Sequence, residues 1–314
     1  MIKRRGPTNA KAKCLACGSY DVAFWTSARD VEYHSTVDTF VYVRCADCGA
    51  LSIVDVPTKR LAEIYPDTYY SFSDGRMSLA ERVKQWLDRR MFRRLFADLE
   101  GDSLSALDIG GGTGWLLTQA RAVEPRLKHT AVVDIDPKAR EGAEKLGHSF
   151  HLGRVEKFRS KRKYDLILLL NLIEHVDDPV AVLASMKKLL APGGKILAKT
   201  PNHDSLDARL FRDSSWGGYH CPRHWVIFTP ESFAAAIERA GLKVDRIAFT
   251  QGAPFWAVSA LEWLGRKGLV RVNRARPMCR HPLFGPLLAG FAALDMARKP
   301  FARTSQMFAE VSAG

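Results

Sequence analysis

Short apolar runs ending in glycine or an acid, each followed by apolar positions at helical spacing, recur through the middle of this chain. Leu104 to Ile109 reads as a buried strand, Gly110, Gly112 and Gly114 as a tight turn, and Trp115 to Val123 as a helix. A second strand, Ala131 to Val133, ends in Asp134, while Leu166 to Asn171 is too apolar for an edge and is expected as a central parallel strand. Leu189 to Asn202 ends a helix, turns on Pro192, Gly193 and Gly194, and opens a further strand. This alternation predicts an α/β fold built on a parallel sheet.

In such sheets ligands bind at the carboxyl ends of the strands, where the informative residues of this chain fall. Glycines there let the backbone approach a ligand that any Cβ would strike. Asp134, about 26 residues after Asp108, stands where a strand-end carboxylate accepts hydrogen bonds from both hydroxyls of a ribose. Asn171, Glu174 and His175 are delivered to the same rim. A nucleoside cofactor, and hence an enzyme, is the first expectation.

The segment DIGGGTG, the acid Asp134, the EHVDDP stretch from Glu174 to Pro179 and the PGG turn together resemble the class I S-adenosylmethionine-dependent methyltransferases, over about residues 104–311. A nicotinamide-binding loop would read GxGxxG, whereas GxGxG follows an aspartate here. The resemblance implies a Rossmann-like seven-stranded class I methyltransferase core with S-adenosylmethionine as cofactor. It makes Gly110, Gly112 and Gly114 the cofactor loop, Asp108 its leading acid, Asp134 the ribose acid and Asn171 a neighbour of the cofactor's methionine end. It also implies that Lys243 to Phe249 and an antiparallel Gln306 to Val311 are strands six and seven.

Four of the six cysteines form two CxxCG knuckles, Cys14 and Cys17 before Gly18, and Cys45 and Cys48 before Gly49. About 27 residues separate them, within reach of one tetrahedral zinc site. The intervening segment alternates as two or three short strands, so a zinc ribbon is expected at residues 14–60, with four protein ligands making the zinc structural. A redox CxxC pair is the alternative. Cys221 and Cys279 have no partner at ligand spacing and read as ordinary thiols. A basic arm at 1–13 precedes the ribbon. A helical linker or lid at 61–103 follows it, with an amphipathic helix from about Ser78 to Leu99 and the tyrosines Tyr65, Tyr69 and Tyr70 placed either as a lid or as plain packing. The methyltransferase domain then fills 104–314.

At 314 residues and 46% hydrophobic content the chain can bury a full core plus a small appended module. No uninterrupted apolar stretch is long enough to span a bilayer and the N-terminus lacks a secretory pattern, so a cytoplasmic location is expected. The net charge of +13 is uneven. Residues 1–13 carry five Lys or Arg and no acid, and residues 264–303 carry nine against the single acid Asp295. That second region lies in an insertion at about 252–303, which should overhang the substrate side because it leaves the carboxyl end of strand six. Its mixture of bulky apolar and basic residues suits an anionic membrane surface or a lipid-linked phosphate, with the enzyme peripheral at the membrane's inner face; a helical hairpin with a solvated basic face is the plainer reading.

Methyl transfer from a sulfonium requires mainly that donor and acceptor be held in line, and an oxygen or carbon acceptor must also lose a proton. The loop from Ser214 to Phe233 follows strand five and concentrates His220, His224 and Arg223. His220 and His224 are candidate general bases, or histidines that orient the loop. Pro222 between them argues against a helical metal pair, and Arg223 reads either as a bidentate ligand for substrate phosphate or carboxylate or as a surface ion pair. The expected activity is methylation of oxygen or carbon in a small-molecule or glycan acceptor, such as a nucleotide- or lipid-linked sugar. Ribbon followed by class I core is similar to certain sugar methyltransferases of bacterial polysaccharide and deoxysugar pathways. An RNA methyltransferase with phosphate contacts from ribbon and basic ends is the alternative, and nucleic acid is the less favoured partner because the ribbon is acid-balanced and Asn171-Leu172-Ile173 lacks the Pro-Pro-Tyr of amino-methylating enzymes. A non-catalytic cofactor-binding scaffold comes third, and oligomeric state leaves no signal.

Overall fold

From the N-terminus, three strands, β1 (Val22–Ala28), β2 (Phe40–Cys45) and β3 (Leu51–Ile53), follow or flank the two cysteine knuckles, and the short α1 (Leu61–Ile64) leads away from them. The structure, a computed structural model, describes residues 12–65, 79–213 and 215–314. The basic arm up to residue 11 and the tyrosines Tyr69 and Tyr70 lie outside the described residues.

After α2 (Leu79–Ala97) the αβ alternation runs as the sequence pattern predicts: β4 (Leu104–Ile109), α3 (Trp115–Arg121), β5 (Leu127–Asp134), α4 (Ala139–Lys145), β6 (Ser149–Leu152), β7 (Tyr164–Leu170), α5 (Pro179–Leu189) and β8 (Leu190–Pro201). The chain continues through α6 (Leu206–Leu210), the two-residue β9 (Val226–Ile227), α7 (Pro230–Arg239), β10 (Leu242–Thr250), α8 (Ala253–Arg266), α9 (Phe284–Arg298) and β11 (Gln306–Ala313). Seven strands form one sheet in the order β10-β11-β8-β7-β4-β5-β6. β4 to β8 are parallel neighbours, and β11 is antiparallel to both β8 and β10. The PGG segment is a bulge inside β8, where the register with β7 jumps between the Leu190 and Lys195 pairings.

Side chains alternate across this sheet, so both faces must be covered. Leu107, Ile109, Ile167, Leu169 and Ile196 pack with Val182 and Met186 of α5 and Phe233 and Ile237 of α7. On the other face Leu104, Ala106, Leu166 and Leu168 pack with Phe92, Leu95 and Phe96 of α2 and Leu117 of α3. Every residue of β4 is buried, which leaves its carboxyl end as the exit toward the rim.

The cysteine ribbon does not stand apart from this core. Its sheet has the order β1-β2-β3-β9, so its outermost strand comes from the loop after β8, with Leu51 paired to Ile227 and Ser52 to Val226. The Tyr42 hydroxyl donates to the His224 carbonyl at 2.8 Å, and Tyr42, Leu51 and Ile53 share an apolar cluster with Trp216, Tyr219 and Trp225. Beside that cluster, Arg223 and Asp30 form an ion pair at 2.9 Å with neither side chain exposed. The Asp30 carboxylate also accepts from the amides of Tyr33 and Ser35 and from the Ser35 hydroxyl. Burial alone would raise its pKa, but Arg223 and these donors more than offset that and hold it near 2.

Between β10 and β11 the inserted segment is a helical hairpin of α8 and α9. α8 buries Phe255, Trp256, Val258 and Leu261, whereas the one buried residue of α9 is Asp295, which accepts from the Gly252 amide at 2.8 Å and the Trp256 indole at 3.3 Å. Among the described residues no helix is long and apolar enough to cross a membrane.

Removing one member of a fully buried ion pair leaves the other charged and desolvated, at a cost of about 3–5 kcal/mol. Asp30→Ala should therefore lower the urea-unfolding free energy by about that amount. A loss below about 1 kcal/mol would mean that Arg223 finds water or another acceptor, and that the ribbon is only loosely docked.

Candidate active site

The glycine turn between β4 and α3 adopts a backbone that side chains disfavour: φ is +71° at Gly110, +54° at Gly112 and +73° at Gly114. A Cβ at Gly110 would lie 2.5 Å from Leu172 Cδ1, so the loop is pressed against the segment that follows β7. A Cβ on Gly112 would meet nothing within 4 Å. Gly112 therefore needs to be glycine for its φ, and the space beyond it is open to a ligand.

Two carboxylates frame this turn. Asp134 at the end of β5 accepts from the Gly112 amide at 2.9 Å through one oxygen and from the Asp136 amide at 2.8 Å through the other. Both oxygens keep a further lone pair for a ligand hydroxyl. Asp108 is buried, and its Oδ2 has no hydrogen-bond partner. Burial, and secondarily the charge of Asp134, push Asp108 up to about 7. An orphaned buried oxygen beside an open glycine turn fits a site that is completed by a bound polar group.

At the end of β7, Asn171 adopts φ +56° and its side-chain amide donates to Glu174 Oε1 at 3.2 Å. Glu174 is fully buried and also accepts from the Thr200 hydroxyl at 3.1 Å. Burial raises it to about 7 despite those hydrogen bonds. The amide of Trp225 donates to the Glu174 carbonyl at 2.7 Å, which fixes the loop after β8 against this rim.

Three imidazoles converge there. The ring centroids of His175 and His224 are 4.8 Å apart and those of His220 and His224 are 4.9 Å apart. His224 is buried and its Nδ1 donates to the Gly218 carbonyl at 2.8 Å, leaving Nε2 as a lone pair 3.9 Å from Glu174 Oε1. Desolvation, aided by the other two rings, puts His224 well below the usual imidazole range and His175 at about 3, so both are neutral at pH 7. His175 meets the Tyr65 hydroxyl at 3.0 Å and the Arg223 carbonyl at 2.9 Å through Nδ1. His220, in a left-handed conformation after a single 3-10 turn, sets its Nδ1 2.7 Å from Glu32 Oε1 of the ribbon. With a carboxylate as acceptor, Nδ1 carries the proton and Nε2 is the basic atom.

Asp108, Gly110, Gly112, Gly114, Asp134 and Asn171 lie along the carboxyl ends of adjacent strands, and Glu174, bonded to Asn171, lies 3.9 Å from His224, whose ring is beside that of His220. Arg223 is corrected: it neither faces a substrate nor forms a surface pair, because Asp30 holds it inside. Glu32, Asp30 and Tyr33 escaped the sequence reading. They belong to the ribbon, and Glu32 is 188 residues from His220, so no local spacing could announce the contact.

The knuckles are likewise assembled. Cys14 and Cys48 sulfurs are 3.5 Å apart, as are those of Cys17 and Cys45, and all four lie within 4.8 Å of one another. Gly18 and Gly49 both have φ +78°, and their amides bond back to the Cys14 and Cys45 carbonyls. A tetrahedral ion with bonds of about 2.3 Å separates its sulfurs by about 3.8 Å, so the donor set fits zinc.

Comparison with known proteins adds a family model, described as a methyltransferase domain, that matches residues 79–247. A ubiquinone biosynthesis O-methyltransferase of Cereibacter sphaeroides (strain KD131 / KCTC 12085) is 27% identical over 208 residues, covering 57% of this chain and 77% of that protein. The protein of the same description from Dinoroseobacter shibae is 33% identical over 175 residues, covering 50% and 68%. Among solved structures, a coclaurine N-methyltransferase bound to N-methylheliamine and SAH superposes with a TM-score of 0.49 at 16% identity, covering 82% of this chain and 80% of that one.

The raised pKa of Glu174 makes a signed prediction. The folded state keeps the Glu174 proton between about pH 4.5 and 7 while the unfolded state releases it, so its contribution falls as pH rises through that window and is least above it. Glu174→Gln removes this slope, and the variant should gain on the order of 1–3 kcal/mol relative to the parent between pH 5 and 8. Parallel stability curves for the two proteins, measured by urea unfolding, would show that Glu174 is ionised in the fold.

Proposed function

Given that the chain belongs to the methyltransferase-domain family and is an S-adenosylmethionine-dependent methyltransferase, we propose that it methylates an oxygen or carbon of a small-molecule or glycan acceptor. The observation that carries this reading is the convergence at the end of β7 of Asn171, its hydrogen-bonded partner Glu174 and an imidazole cluster whose His224 Nε2 lies 3.9 Å from Glu174, which supports a proton acceptor beside the cofactor rim. A nucleotide- or lipid-linked sugar is the acceptor class that the notional overhang of the basic hairpin suits best.

In this reading Asp134 binds the ribose hydroxyls, Gly110, Gly112 and Gly114 admit the cofactor to the backbone, Asp108 supports the loop from beneath, and Asn171 stands at the methionine end. The bound cofactor supplies an electrophilic methyl group on a sulfonium. His220 is the general base: Glu32 orients its ring and stabilises the imidazolium formed when Nε2 takes the acceptor's proton. Glu174 holds the Asn171 side chain in place, and His224, tied to Gly218, positions the loop. Isothermal titration should show S-adenosylmethionine binding that weakens at least tenfold in Asp134→Ala. With methyl-labelled cofactor and a cell extract as acceptor pool, His220→Ala should lose about 10²–10⁴-fold in transfer at unchanged cofactor affinity. Wild-type cofactor affinity in Asp134→Ala would remove the ribose assignment, and transfer within threefold of the parent in His220→Ala would place the base elsewhere.

We further infer that Cys14, Cys17, Cys45 and Cys48 hold one structural zinc ion. The four sulfurs leave no open coordination position, and the mirrored Gly18 and Gly49 turns free both knuckles to face the same point. Metal analysis of protein prepared without chelator should give near one zinc per chain, lost together with several degrees of melting temperature in Cys14→Ser. Protein that is fully folded and free of zinc would contradict the assignment.

A further inference from the structure

A helix that is apolar all round is ordinarily buried, yet α9 is not. Phe284, Leu287, Leu288, Phe291 and Leu294 form one stripe, on which Phe291 stacks against Trp256 of α8, and Ala289, Ala293 and Met296 keep the opposite side apolar, yet its one buried side chain is the anchoring Asp295. Leu294 is 40% exposed, Met296 50% and, just beyond the helix, Phe301 91%; Trp263 and Leu269 of the facing arm are 50% and 69% exposed. Exposed apolar area gathered on one element of a folded chain marks an interaction surface.

The charge around that element says what covers it. Lys267, Arg271, Arg274, Arg276, Arg280 and Lys299 are exposed and have no carboxylate partner among the described residues. The basic residues that do find acids are Arg266 with Glu262, Arg298 with Asp295, and Arg303 with Asp204 and Glu231. Apolar side chains rimmed by unpaired cations match the two components of attachment to an anionic lipid surface, insertion of apolar groups and attraction to headgroup phosphates.

Placement gives the surface a consequence. β10 runs parallel to β8, since both are antiparallel to β11, so the hairpin leaves Thr250 on the rim that also carries Gly112 and Asn171. Its inner helix braces the histidine loop, with Ser259 Oγ accepting from the Gly217 amide at 2.8 Å, and the Met278 amide donates to the Glu32 carbonyl at 3.3 Å. We propose that the α8–α9 hairpin docks on an anionic phospholipid bilayer through the exposed side of α9 and the cations flanking it. The acceptor site then lies next to the bilayer. This goes beyond the methyl-transfer reading and does not depend on which group is the base.

Sedimentation of the full chain with vesicles of phosphatidylcholine, alone or mixed with phosphatidylglycerol, tests the proposal. Retention is expected on the mixed vesicles only and should fall as salt is raised. At about fivefold per cation, the triple variant R274Q/R276Q/R280Q should bind on the order of a hundredfold more weakly. Leu294→Glu and Phe301→Glu, both at exposed positions, should abolish retention while leaving the melting temperature and S-adenosylmethionine affinity at parent values. Equal retention on both vesicle types, or retention that none of these variants changes, would overturn the proposal. So would a dimer that Leu294→Glu dissolves in protein that ignores vesicles, since α9 would then be covered by a second copy of the chain. Because cofactor affinity is read separately, loss of vesicle binding cannot be confused with failure of the methyltransferase reading.

Discussion

The docking of the histidine loop depends on one buried interaction, the ion pair between Asp30 of the ribbon and Arg223 of the loop after β8. Desolvating two charges costs several kcal/mol per ion, and the pair persists because the carboxylate is saturated by donors from Tyr33 and Ser35 while the guanidinium also reaches the Cys221 carbonyl and lies over the Tyr33 ring. Losing either partner would strand the other as a buried, unpaired charge. One residue after Arg223 comes His224, and three before it His220, so fixing the guanidinium fixes both imidazoles.

This divides the site into two parts of different origin. The glycine-turn half, proposed to bind the cofactor, is local: β4, its turn, β5 and the end of β7 are built from contiguous segments, and Asp134 holds Gly112 across only 22 residues. The histidine half, proposed to take the acceptor, is long-range. Glu32 reaches His220, Tyr42 reaches the His224 carbonyl, and β9 completes the ribbon's sheet, so the cysteine ribbon packs directly against the histidine loop.

That division explains what was legible in the amino-acid sequence. Continuous apolar runs, the mark of parallel strands buried on both faces, located β4 and β7 to within two residues. The glycine turn was legible because φ values of +54° to +73° select glycine, and the knuckles because two CxxCG repeats bring four sulfurs within 4.8 Å of one another. Arg223 was misread because a guanidinium in a loop is ordinarily exposed, and its burial follows from an acid 193 residues away. Glu32 was missed for the same reason. Pro222 correctly excluded a helical pairing of His220 and His224, but not the loop that brings their rings 4.9 Å apart.

The most direct test of the central claim, that the ribbon holds the histidine loop in place, is hydrogen–deuterium exchange on the full chain carrying Asp30→Asn. Amides of the 217–228 segment, including the Trp225 amide bonded to Glu174, should lose protection, while β4, β5 and the glycine turn exchange as in the parent. Unchanged protection across 217–228, or loosening spread equally over the central sheet, would contradict the account.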